Sequence, residues 1–245
     1  FQFTLGLISL LFALVFGRFV WPNLEGLTLR FVLSSCLWAG ATVFSFKAIQ
    51  RLSAGEVTIL TTSSSVISIL LGVLFLREAF SLNIALGALL IFVSVWMVQN
   101  EKLSFTSRQG IMFALLSAVC AGIAVVNDAF ILRSYEAFSY TAIMSFLPAV
   151  VLMALFPKKI VKAKSLLNAK SIWLMSIFCL FYSVQAITYY LAFQSGAPIS
   201  QLSPLVKSSI VLTVLLGAIF LNERKHLVKK IIASVIVTAG AILLG

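Results

Sequence analysis

The chain has 245 residues, of which 61% are hydrophobic and 10% charged, with a net charge of +11. A soluble domain is about half apolar and about a quarter charged, so this composition, with a mean hydropathy of +1.12, excludes one and predicts an integral membrane protein. Its lysines and arginines fall in short loops rather than along one face, which excludes a nucleic-acid partner and makes the charge a report of membrane orientation.

Nine apolar stretches have the roughly 17 to 23 residues needed to cross a hydrocarbon core of about 30 Å. They span 3–20, 29–49, 57–76, 82–98, 110–132, 139–156, 172–193, 199–221 and 227–244. The predicted fold class is therefore an all-α polytopic membrane protein, and the bilayer is its first partner. The longest connection, 157–171, is too short for a soluble domain. Cys36, Cys120 and Cys179 lie singly in apolar stretches, and the one histidine, His226, lies in a loop, so no metal site or cofactor is predicted.

On one side of the membrane the alternate loops carry Lys47, Arg51, Lys102, Arg108, five lysines between 158 and 170, Arg224, Lys225, Lys229 and Lys230. The other side carries Arg18, Arg30, Arg77 and Arg133. This bias places the carboxyl terminus outside. Lys207, within the eighth stretch, is the basic residue that the loops and helix ends do not account for.

The segment "GVLFLREAFSL" from Gly72 overlays "GAIFLNERKHL" from Gly217 at a shift of 145 residues, matching Glu78 with Glu223. A shift of five helices reverses the direction of crossing, so the repeat is inverted, with residues 1–100 as the first half and 108–245 as the second. Five helices per half make ten in all, and the tenth is expected before Phe1. Glu78 and Glu223 are expected at helix ends, paired with neighbouring basic side chains.

The "LFLRE" and "IFLNE" endings, followed by small-residue helices such as "GALLIFVSV" and "IASVIVTAG", resemble the drug/metabolite transporter superfamily, EamA type. The resemblance covers nearly the whole chain. It implies a ten-helix fold of two inverted five-helix repeats in the cell membrane, alternating access, and a central cavity lined by the third and fourth helices of each half. The Ser-Pro of the family's cavity helix is present as Ser203-Pro204, while its counterpart in the first half is Thr58-Ile59. The resemblance also implies cytoplasmic termini, contrary to the charge count.

Ser200, Ser203, Pro204, Lys207 and Ser208 share one helical face, and Thr58, Thr61, Thr62, Ser65 and Ser68 form a similar stripe in the first half. Pro204 lacks an N–H and so frees the Ser200 carbonyl. Hydroxyl stripes also serve helix packing. A charge at mid-bilayer costs about 2.5 to 3.5 kcal/mol on insertion scales, which points to function at Lys207. In the repeat Lys207 overlays Thr62, so the cavity is positive on one side only.

Asp128 is the carboxylate set within a predicted span, a candidate for proton coupling or for an ion pair with Lys207, or else an interfacial helix-end residue. Gln185 and Tyr182, one turn apart, offer an amide and a phenol to a ligand, and Trp38 an aromatic wall. The reading favoured is a secondary transporter of a small polar or amphipathic metabolite, anionic, amino-acid-like or phosphorylated, acting as a monomer or homodimer and not as an enzyme. The alternatives are an intramembrane hydrolase using Ser203 with Lys207, and a passive channel or accessory membrane protein.

Overall fold

A computed structural model describes residues 1–21, 26–76, 81–99, 108–157, 168–195, 206, 215–217, 219–220 and 227–244. Among them every regular element is helical: α1 (Gln2–Val15), α2 (Thr28–Ile49), α3 (Ala54–Thr61), α4 (Ser63–Leu71), α5 (Leu82–Gln99), α6 (Arg108–Leu132), α7 (Ala137–Leu155), α8 (Ala169–Gln194) and α9 (Leu227–Leu244). Among the described residues five stretches are long and apolar enough to cross a membrane, namely α2, Ala54–Leu71, α6, α7 and α8. The expected eighth span, 199–221, falls almost wholly outside the described residues.

The helix boundaries have local causes. Gly17, at φ +61°, ends α1 by a left-handed turn in which the Arg18 N–H reaches the Ala13 carbonyl at 2.9 Å and the Gly17 N–H reaches Leu14 at 3.0 Å. The first span thus stops at Val15, short of the expected residue 20. Ser53 and Glu56 form a reciprocal capping box that starts α3 three residues before the expected boundary. Glu136 and Asn168 cap α7 and α8 through side-chain oxygens that accept the N–H groups of Ser139 and Ser171.

The third span, read from sequence as one helix, is interrupted. Thr62 (φ −65°, ψ −21°) separates α3 from α4, and its N–H turns to the Ile59 carbonyl at 3.2 Å. The Thr58 carbonyl is taken instead by the hydroxyls of Thr61 and Thr62, at 3.1 and 2.9 Å. The hydroxyls thus satisfy a backbone group that the tighter turn releases. Beyond α4 the helix widens into a π-turn, Gly72–Leu76.

The chain divides into two compact units. The first holds Phe1–Ala39 and Asn127–Ala197; the second holds Gly40–Val126 and Pro198–Gly245. In the first, α1 packs on α7 and α8, and a core of Phe31, Ile131, Leu132, Tyr135, Tyr140 and Met144 gathers around the connection from α6 to α7. The strand of chain after α1 is fastened to that connection. Ser139 Oγ donates to the Arg18 carbonyl and accepts from the Val20 N–H, and the Tyr135 hydroxyl donates to the Val20 carbonyl at 2.6 Å. Burial pushes the Tyr135 phenol up to about 12, so it remains a donor at physiological pH.

In the second unit, α5 lies against α9, and both pack on α3 over Ile59, Leu60, Ile69, Ile91 and Val237. A Cβ at Gly240 of α9 would stand 2.8 Å from the Gly87 carbonyl of α5, so glycine permits this approach. The Ser94 hydroxyl donates to the Ala233 carbonyl across the same pair at 2.7 Å. The 145-residue shift carries Leu82–Gln99 onto Leu227–Leu244, each of 18 residues.

Candidate functional site

In the first unit Arg30, Ser34 and Trp38 fall on one face of α2, four residues apart. Facing them near the end of α6 are Asn127 and Asp128. Asp128 is 1% exposed. Its Oδ1 accepts from Ser34 Oγ at 2.6 Å, and its Oδ2 accepts from Trp38 Nε1 at 2.8 Å and from the Tyr190 hydroxyl at 3.5 Å. Among the described residues these hydrogen-bond partners are all neutral donors. Lys207, one candidate ion-pair partner from the sequence, lies outside the described residues.

Asn127 extends the cluster. Its Nδ2 donates to the Arg30 carbonyl at 2.8 Å and to Ser34 Oγ at 2.7 Å, while its Oδ1 accepts from Arg30 Nη1 at 3.4 Å. The half-buried Arg30 guanidinium lies over the Phe130 ring, 4.4 Å from its centroid. A buried polar cluster of this size is stable only where its members satisfy one another, because each unpaired group costs about 1–3 kcal/mol.

Trp38 and Tyr190 also line a cavity of about 60 Å³ within the same unit. Tyr182, Ala186 and Tyr190 supply one face of α8 at four-residue spacing, Thr141 and Ser145 a face of α7, and Gln2 and Leu5 a turn of α1. The Thr141 and Ser145 hydroxyls donate to carbonyls one turn earlier on α7, both at 2.7 Å, which leaves their oxygens able to accept. Trp38 and Tyr182, which roughly overlay one another in the repeat, thus meet at one cavity. Gln185 is exposed on α8 and is not among the cavity's lining residues.

The threonine stripe of the second unit is organised differently. Thr58 donates to the Ala54 carbonyl at 2.8 Å, Thr61 and Thr62 to Thr58, and Ser68 to Ser65 at 3.0 Å. These hydroxyls turn back onto their own helix; Ser65 itself is buried. The matching residues Ser200, Ser203, Pro204 and Lys207, and the repeat glutamates Glu78 and Glu223, lie outside the described residues.

One basic residue at a helix end is buried. Lys230, assigned from sequence to a loop or helix end, is 7% exposed in the first turn of α9. Its Nζ donates to the Ser53 hydroxyl at 2.7 Å, directly over the capping box of α3. Sequence reasoning passed over Ser34, Asn127 and Tyr190. The four-residue spacing of Arg30, Ser34 and Trp38, and two adjacent polar residues inside an apolar span, are signals that could have found them.

Apolar helices with a polar interior define a helical, multi-pass integral membrane protein. The chain belongs to the EamA-like transporter family, whose model matches residues 1–99 and 108–245. No curated protein matches the chain. That family falls in the drug/metabolite transporter superfamily, and the chain is accordingly a membrane transporter of that type, for which the cell membrane is the usual site and lipid and a small-molecule substrate are the partners.

Proposed function

We propose that this protein is a secondary transporter of a small polar or amphipathic metabolite, working by alternating access and driven by a gradient or by exchange. One observation carries the reading: aromatic and hydroxyl side chains from three helices of the first unit converge on a cavity backed by a buried carboxylate. Polar groups within a membrane protein are retained at a cost of a few kcal/mol each and usually line a path or a site. The two inverted halves, residues 1–100 and 108–245, supply the alternation, and the 145-residue correspondence of α5 with α9 supports that division.

Lys207 contacts the anionic group of the substrate in this reading, from the Ser200, Ser203 and Pro204 face, with Thr58, Thr61, Thr62 and Ser65 on the opposite repeat. Its support is the position of a charge inside an apolar stretch. Trp38 and Tyr182 wall the substrate's apolar part. A thermal-shift screen of polar metabolites on purified protein supplies the ligand, and counterflow in proteoliposomes supplies the test. Saturable counterflow that Lys207→Ala weakens at least tenfold in apparent affinity is the expected result. Non-saturable flux would convert the protein into a channel, and unchanged affinity in the variant would remove Lys207 from the site.

A further inference from the structure

The polar cluster at Asp128 has a direction. Asn127 Nδ2 lies 2.8 Å from the Arg30 carbonyl, which can only accept, and Asn127 Oδ1 faces a guanidinium, which can only donate. The amide orientation is thereby fixed at both ends. Ser34 Oγ receives a hydrogen from Asn127 Nδ2 at 2.7 Å, and its own hydrogen goes to Asp128 Oδ1 at 2.6 Å. On the other oxygen the Trp38 indole, which can only donate, closes the shell at 2.8 Å. Along the side-chain path from the Arg30 guanidinium through Asn127 and Ser34 to Asp128 each hydrogen points from the cation toward the carboxylate, while the other Nδ2 hydrogen of Asn127 is anchored on the Arg30 carbonyl.

From this we infer that Arg30 and Asp128 form a relayed ion pair through Asn127 and Ser34, and that the ionised Asp128 is a positioning residue that holds Trp38 and Tyr190 as walls of the cavity. Bonds aligned in one sense polarise one another, so a guanidinium two side chains away compensates a charge it does not touch. A carboxylate whose two oxygens already accept from a serine and an indole is held in place. Its role differs from that of a proton carrier, which must exchange its proton as the transporter turns over. The importance given to the two walls rests on reading the cavity as part of a transport path; the relay does not, and unfolding and fluorescence read the cluster without reference to transport.

The probe is Trp38 itself, isolated by changing Trp21, Trp96 and Trp173 to Phe in the full chain. Excitation moves indole electron density from the five-membered to the six-membered ring, and a negative charge beside Nε1 favours that movement. Asp128→Asn should therefore shift Trp38 emission to shorter wavelength, whereas mere loosening and water entry would shift it to longer wavelength. In thermal unfolding, Arg30→Gln and Asp128→Asn should each lower Tm, and the double variant should lose clearly less than the two losses together. In an Asn127→Leu background that non-additivity should vanish, because both charges remain while the relay is cut.

Additive losses for Arg30→Gln and Asp128→Asn overturn the relayed pair, as does non-additivity that survives Asn127→Leu. Unmoved or red-shifted emission in Asp128→Asn overturns the positioning role. A transporter whose Trp38 and Tyr190 variants leave counterflow untouched, but whose emission and unfolding follow the relay, separates a failed cavity assignment from a failed relay.

Discussion

The Asp128 cluster of the first unit and the threonine stripe of the second use polar side chains in opposite ways. In the first, Ser34, Asn127, Asp128, Trp38 and Tyr190 come from α2, α6 and α8, and each bonds to a residue distant in sequence. In the second, Thr58, Thr61, Thr62 and Ser68 bond to carbonyls three or four residues back on the same stretch of chain. A polar residue in a membrane helix can therefore either tie helices together around a charge or shape the helix that carries it. The first arrangement fixes geometry at one place, while the second tightens and interrupts a helix at Thr62.

The comparison can be broken most directly at Asp128. Asp128→Ala leaves the Trp38 N–H and the Ser34 hydroxyl facing an apolar gap. At about 1–3 kcal/mol for each stranded donor it should give the largest loss in unfolding experiments in detergent, together with loss of counterflow. Next comes Gly240→Val, which drives side-chain atoms into the Gly87 carbonyl and Leu90 and should cost about 1–3 kcal/mol by overpacking. Its effect should be on Tm, with substrate affinity in the surviving protein unchanged.

Ser53→Ala removes the cap of α3 and the acceptor of Lys230, a loss of about 1–2 kcal/mol that a second substitution, Lys230→Met, should partly relieve in the same unfolding measurement. The smallest change is expected from Thr62→Val. Its hydroxyl bond is local and net hydrogen-bond contributions are about 0.5–1.5 kcal/mol, so Tm should fall slightly or not at all. Should Thr62→Val cost more stability than Asp128→Ala, the contrast between the Asp128 cluster and the threonine stripe would be reversed.

Much of the fold is legible in the sequence because the bilayer imposes a length and an apolar composition on any helix that crosses it. The 28–49, 108–132, 137–155 and 169–194 helices sit within a few residues of the hydropathy boundaries. Gly17 and the Ser53-to-Glu56 spacing were readable stop and start signals. The interruption at Thr62 was not, because no proline or glycine marks it and a run of threonines and serines is equally compatible with a straight helix. The candidate site was half legible. Asp128, Trp38 and Tyr182 stand out by residue type, whereas Ser34, Asn127 and Tyr190 acquire meaning only when three helices are packed. The depth of Lys230 depends on the same kind of fact, since its position near a helix start says nothing about what covers it.

The π-turn at Gly72–Leu76 bears on how this chain tolerates changes in length. A turn closed five residues apart holds one residue more than a turn closed four apart, and that surplus is confined to a single loop of the helix. Deleting one residue there would let the ladder close as ordinary α-helix while the segments on either side keep their faces. Anywhere else in the helix the same deletion would rotate everything beyond it by about 100°. Gly72–Leu76 is thus the natural joint at which homologous chains could gain or lose a residue without repacking either neighbour.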